Sequence, residues 1–354
     1  MTDPNNISPD ELPIERPFTS ARRRGITLGV VSIMGALIYT GWWFWLAGTV
    51  REQVNLWIAN NRVDGREIDI AALDVGGFPG ALDIRVDNIQ VSDPSAGWKL
   101  NVPAINGTMT PWKIDQIEGN FTGPLNLEVV KGPAANGYTF ETSSNHWMVD
   151  RDQGGRVQLK FEDIVIKQGD DPTPLTISTL NGVLIRGAIP VFGTLKMTAS
   201  EITLPAHVQS PFGRDVKVVD TRLELVGAVP PGNLTASELR RWANDGGAVE
   251  VRSLRVIHGA LGLDGDGTLA LDGRLQPIGA FGARVTGYDT ALDQLVQAGA
   301  VRSSDGNIAK MILGALGKIP AGGGPKQIEV PISVQDQRLS VGPIPLMHLP
   351  AILW

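Results

Sequence analysis

The sequence predicts a mainly β protein: an N-terminal transmembrane helix, then a large curved antiparallel β-sheet domain, half-pipe or folded-over sandwich, with a few short helices. Three observations carry that reading. Residues 25–50 hold no charged side chain, and arginines stand on both flanks. Beyond them, apolar residues recur at every second position, the spacing of half-buried strands. The runs are separated by short Gly, Pro, Asn and Asp clusters such as GGFPG and KGPAANG. These are turns rather than crossover helices, and short turns join antiparallel neighbours.

The uncharged run from Gly25 to Val50 reaches about 39 Å as a helix at roughly 1.5 Å per residue. The hydrocarbon core of a bilayer is only about 30 Å thick, so Ile26 to Trp45 suffices to span it. Tyr39, Trp42, Trp43 and Trp45 then fall towards one water interface, where amphipathic rings settle, and Arg22, Arg23 and Arg24 sit at the other. Positive charge favours the cytoplasmic side, so the expected topology is N-terminus in, residues 51–354 exported. A cleavable signal peptide has a shorter apolar region closed by a small-x-small site. Here bulky Trp42 to Trp45 precede the small candidates Ala47 and Gly48, which favours a permanent anchor. Gly25 and Gly29 make a GxxxG spacing that is common by chance. The expected layout is a disordered cytoplasmic tail over residues 1–24, a transmembrane helix over 25–50 and a β-rich periplasmic domain over 51–354. The tail is rich in Pro, Asn, Asp and Glu and holds too few large apolar groups to bury a core.

Composition narrows the compartment. The 354 residues contain no cysteine, which removes disulfides and thiolate metal sites and suits a bacterial inner membrane facing the periplasm. Asn106, Asn120 and Asn233 head N-x-Thr sequons that have no meaning there. The net charge is −6, and no basic stripe exists to neutralise phosphates, so nucleic acid is not an expected partner.

Outside the anchor, REQVNLWIANNRVDG reads as a short amphipathic helix that continues or follows it. The period then changes. Leu82, Ile84 and Val86 alternate with polar residues, and Ile89 and Val91 resume out of phase, which implies a bulge near Asn88. Val157, Leu159 and Phe161 repeat the pattern, as do Val219, Thr221, Leu223 and Leu225, with a second slip expected between Val218 and Val219. Leu261, Leu263, Leu269 and Leu271 share one parity, and so do Ile328, Val330, Ile332 and Val334. About fourteen to sixteen such strands are readable. Helices are expected at TASELRRWAND, capped by Thr235 or Ser237 with Glu238 in the first turn, at Thr290 to Gly299, and near Ser304 to Leu316.

A sheet with one apolar face creates a demand, because that face must be covered by another layer. Four short helices cannot cover so many strands. Either the sheet folds onto itself, or part of its apolar face stays open to a greasy ligand.

Several ordered motifs run along the chain: Gly77, Phe78 and Pro79 before an alternating strand; WKLNVPAINGTMTPWKI, with Trp98; RRWANDGGAVEV, with Trp242, Gly246 and Gly247; LGLDGDGTLALDG; and RLSVGPIPLMHLP, with Gly342 and Pro343. Together with the anchor, these resemble domain of unknown function family 2125, a membrane-anchored family of Gram-negative bacteria. The likeness covers about residues 25–350. Its architecture is distantly similar to AsmA-like envelope proteins, which implies outer-membrane biogenesis or lipid handling and transfers no catalytic residue. Physically, Gly77 and Pro79 read as fixing a tight turn, and Phe78 and Trp242 as plugs on the sheet.

Catalytic constellations are not evident. His146, His207, His258 and His348 are scattered singly, with no HExxH spacing, no GxSxG and no Walker loop. Asp264 and Asp266 evoke a calcium loop, but Thr268 and Leu269 occupy its fifth and sixth positions and no late Glu follows. The expectation is a non-enzymatic, single-pass inner-membrane protein without cofactor. Its periplasmic sheet binds lipid or another apolar ligand or supports envelope biogenesis; the alternative is a closed β scaffold whose edge strands recruit an envelope protein partner.

Overall fold

One uninterrupted helix, α1, runs Thr19–Val63. No proline or glycine pair interrupts it, so the amphipathic segment expected after residue 50 is its continuation. The structure, a computed structural model, describes residues 19–63, 66–94, 96–131, 135–152, 154–187, 190–229, 235–299, 301–320, 323–342 and 344–352, with side-chain surroundings described over these except 19–27, 61–63, 305 and 344–347. Helix α1 starts ahead of the boundary drawn at residue 24: Arg22, Arg23 and Arg24 are helical, as befits arginine, a good helix former. The rest of the expected tail lies outside the described residues. Within α1, Leu28–Asn60 is long and apolar enough to cross a membrane, by length and composition. Leu28, Val30, Ile33 and Ile38 point to different sides of the helix and are each more than half exposed. A helix apolar all round needs an apolar surrounding. The chain divides into two compact units, Met1–Val50 and Arg51–Trp354.

The second unit is built on a single 18-stranded sheet in which every pairing is antiparallel. Its N-terminal part contains β1 (Glu67–Asp69), β2 (Ala72–Gly76), β3 (Leu82–Asp93), β4 (Trp98–Met109), β5 (Gln116–Thr122), β6 (Leu125–Val129), β7 (Asn136–Glu141) and β8 (Ser144–Asp150). A regular meander follows: β9 (Arg156–Gln168), β10 (Leu175–Arg186), β11 (Val191–Thr203), β12 (Asp215–Val226), β13 (Ala248–His258), β14 (Leu261–Leu271), β15 (Pro277–Thr286), β16 (Gln327–Gln335), β17 (Arg338–Val341) and β18 (Ile344–His348). The strand number exceeds the expected fourteen to sixteen because some rungs are split. Short β1 and β2 share one edge of long β3, β5 and β6 share β4, and β7 and β8 share β9.

Asn88 adopts φ 50°, but the β3–β4 register is the same on either side of it, Asp87↔Ala104 and Ile89↔Val102, so the left-handed residue reverses the side-chain phase without the extra residue of the bulge expected there. The β12–β13 ladder shifts between Arg222 and Leu223 and, earlier than the slip expected between Val218 and Val219, between Val216 and Val218. Consecutive valines occupy both phases there, so side-chain alternation alone cannot fix the position.

Three helices interrupt the meander. Helix α2, Ala236–Asn244, starts at N-cap Thr235 with a full capping box to Glu238. Helices α3, Tyr288–Gln297, and α4, Ser303–Leu316, both sit between β15 and β16. Trp242 is buried and donates from Nε1 to the Val226 carbonyl at 3.1 Å. The chain then turns at Gly246, φ 82°, so that Gly247 lies directly under the indole. A Cβ on Gly247 would stand 2.3 Å from the ring. Trp242 is therefore packed closely on Gly247, and both glycines have a steric reason.

Phe78 does not plug the sheet. It lies in the β2–β3 turn, 44% exposed, where Gly80 donates to the Gly77 carbonyl at 2.8 Å. Gly77 has φ 102°, and a Cβ there would collide with the Ala81 carbonyl. The Gly77–Pro79 motif thus serves the turn, and its aromatic faces outward. Trp98 opens β4, half-buried, opposite Asp93 and Val129. Gly342, φ 56°, donates to the Pro331 carbonyl at 2.8 Å, and Pro343 lies outside the described residues.

We expect Gly247→Ala to destabilise the second unit by about 1–3 kcal/mol through overpacking against Trp242. Urea unfolding followed by tryptophan fluorescence should show the midpoint fall.

Candidate functional site

In an antiparallel ladder, directly opposed residues project from the same face, so the register defines the chemistry of each side of the sheet. Following it strand by strand from β5 gives Ile117, Val149, Val157, Leu184, Leu195, Leu223, Val251, Gly267, Phe281, Ile332 and Val341. No polar side chain interrupts this row. At roughly 4.8 Å between strands its contour is about 48 Å.

The rows on either side continue it. One includes Trp147, Leu159, Met197, Leu254 and Val330; its single hydroxyl, Thr221, donates to the Ser253 carbonyl at 3.1 Å. Another includes Phe161, Leu180, Val219, Val256, Leu263 and Ile328. The result is an apolar band several side chains wide.

The reverse face has the opposite character. Asp220, Arg255, Asp264, Arg284 and Glu329 oppose one another in sequence, alternating in sign. Asp264 therefore sits between two arginines, with Arg255 Nε at 3.9 Å. Glu224, on this face, receives Arg252 Nε at 2.7 Å and Arg222 at 3.2 Å. The hydrogen bond from Arg252, against a smaller cost of burial, holds its carboxyl below the usual carboxylate range.

Coverage of the apolar band is uneven. Helices α3 and α4 lie over β13 to β17 and leave an apolar cavity of about 1060 Å³. Its walls are sheet residues such as Val251, Leu263 and Phe281, and helix residues Leu292, Leu295, Ile312 and Leu313. That volume is at the upper end for ligand sites. Ile312 lines the cavity yet is 52% exposed, so the opening lies beside α4. Tyr288 presents its ring to the cavity and has its hydroxyl close to Gly317. Burial, with Asp289 adding a smaller push, raises that hydroxyl above the ordinary tyrosine range. Towards β10 no helix residue lines the band among the described residues. There Leu184 is 45% exposed, and a second apolar depression of about 530 Å³ is lined by Phe192, Leu195, Leu223 and Leu225.

The histidines do not converge. His146 stands 3.5 Å from Glu118, His207 Nδ1 is 2.5 Å from Asp171, His258 Nε2 is 2.9 Å from the Gly213 carbonyl, and His348 contacts the Leu349 carbonyl. Thr173, through its backbone N–H and hydroxyl, and His207 together hold Asp171 below the usual carboxylate range. Among the described residues no three His, Asp or Glu side chains are grouped to hold a metal ion. In α1, Tyr39 and Trp42 have ring centroids 6.2 Å apart, and Trp43 meets Phe44 edge-on at 5.2 Å, with Trp45 beside them on the outside. These aromatics and the turn glycines are legible in the sequence, and the cavity is not. The parity of β14 and β16 pointed at its floor; its roof needed the placement of α3 and α4.

Neither the curated proteins nor the solved structures give a significant match to this chain, so the distant likeness to AsmA-like proteins stays an expectation. A family profile does match, over residues 43–350, with Trp242, Gly247 and the whole apolar band inside it. The chain belongs to that family, described as uncharacterized proteins conserved in bacteria, DUF2125.

Proposed function

We propose that this chain is a single-pass inner-membrane protein, N-terminus cytoplasmic, whose periplasmic sheet holds the acyl chain of a lipid or similar apolar ligand without catalysing a reaction. The observation that carries the reading is the uninterrupted apolar band leading into the 1060 Å³ cavity under α3 and α4. The exposed apolar girdle of α1 supports the membrane attachment. Holding lipid in this way would serve envelope biogenesis.

The physical cause of binding is removal of apolar surface from water. Each methylene buried contributes roughly 0.8 kcal/mol, so ten contribute about 8 kcal/mol. Association costs of some 4–15 kcal/mol oppose this, which makes affinity sensitive to chain length.

The second reading, strand addition of a protein partner at a sheet edge, has less to support it. Edge strands β1 and β18 are short, and Pro345 removes a donor from β18.

Photo-crosslinking in living cells separates the two. A photoreactive residue at Leu223 or Phe281, on the band, should capture lipid, while one at Lys196, on the polar face, should not. Protein adducts alone at the band positions would overturn the proposal. Lengthening a bound fatty probe by two methylenes should strengthen binding about tenfold. A periplasm-active reporter fused after Trp354 should be active, and a cytosol-active one silent.

A further inference from the structure

The apolar band carries one cation whose place is not explained by the fold. Arg186 ends β10 in the same phase as Leu184, directly opposite Gly193. The row it heads continues through Leu225, Val249 and Leu269, all apolar. Its guanidinium carbon lies 5.4 Å from the Phe192 ring centroid, and its side chain forms one wall of the 530 Å³ depression. Among the described residues no carboxylate pairs with it, whereas on the opposite face Arg222, Arg252 and Arg255 each face an acid. A strand residue that only needed to end the sheet in water could point to the polar side.

We propose that Arg186 is a headgroup site: it binds the anionic end of an amphiphile whose acyl chain lies on Leu184, Leu195 and Leu223. The inference rests on the ligand reading above and adds the class of ligand, a single anionic group, carboxylate or phosphate, joined to an aliphatic chain. Arginine suits the role because its planar fork donates two parallel hydrogen bonds to either oxyanion. Stacking on Phe192 holds the fork at the edge of the band, and the apolar floor beside it limits competition from water. The small Gly193 opposite, and the Gly154–Gly155 turn beside it, leave space for a headgroup. A Cβ on Gly155 would stand 3.7 Å from the Arg186 Cβ. From β10 to β13, where the helix-covered cavity begins, is about 14 Å at the usual strand spacing, so the chain would run from Arg186 towards that cavity.

The test uses the full chain in discs of neutral phosphatidylcholine, with empty discs as background. Three fluorescent probes of equal chain length are compared: a fatty carboxylate, a fatty alkyl phosphate and a fatty alcohol. Arg186→Gln should weaken the anionic probes by about tenfold and leave the alcohol within about twofold. Arg186→Lys should keep only part of the anionic affinity, because an ammonium keeps the charge and lacks the fork, and Arg222→Gln, on the polar face, should change neither class. Loss with the carboxylate alone or the phosphate alone would identify which headgroup the site takes. Equal loss of alcohol and anionic probes, or no loss of either, would overturn the headgroup site while leaving the apolar band as a ligand site. Failure of all three probes to bind the unaltered chain would overturn the band reading itself, and this inference with it.

Discussion

The constraint on which the rest of this molecule depends is the alternation of side chains along a strand. Each residue of a strand must choose one side of the sheet, and from β5 to β17 the same side receives Ile117, Val149, Leu184, Leu223, Phe281 and their row-mates without a polar interruption. A sheet built this way has a continuous apolar surface by construction. Size is balanced within it: Trp147 lies across from Gly119, where any Cβ would stand 2.6 Å from the indole, and Phe281 lies across from Gly267. Large rings paired with glycines keep the rungs in contact while leaving the surface even. The helices then decide how much of that surface meets water, with α3 and α4 along its C-terminal part.

The polar face does a complementary job. Opposite-charge neighbours such as Asp220, Arg255 and Asp264 contribute about 0.2–1 kcal/mol for each cross-strand pair, too little to hold the sheet by themselves. Their effect is on register. A slip of one residue between β13 and β14 would turn Asp264 into the apolar band and Leu263 into water. The charge ladder and the apolar rows thus fix the same alignment from two sides. That double specification explains why long strands of similar composition pair in one order.

Much of this was legible from residues read singly. Val157, Leu159 and Phe161 announce their face at once because Gln158, Lys160 and Glu162 are polar. The α2 capping box and the Trp242–Gly247 pair were visible for the same reason: each is local. Phe78 misled because apolarity alone does not say on which side of a tight turn a ring emerges. The cavity was hidden because its floor comes from five strands and its roof from two helices between β15 and β16. Arg186 was hidden more subtly. In TLNGVLIRG both phases carry apolar residues, Leu180 and Leu184 in one, Val183 and Ile185 in the other. Only pairing with Leu195 and Val157 shows which phase belongs to the band, and hence that Arg186 shares it.

A repeating row behaves differently from a closed pocket. On the proposed reading, neighbouring rungs offer an acyl chain nearly the same environment every 4.8 Å or so, so sliding by one rung changes the buried area little. No single rung can then select a ligand, because hydrophobic contact is proportional to area and lacks direction. Discrimination has to come from where the repeat is broken: the space enclosed by α3 and α4, which limits bulk, and the edge at Arg186, which distinguishes charge. A band with those two ends suits holding chains of varied length better than recognising one molecule.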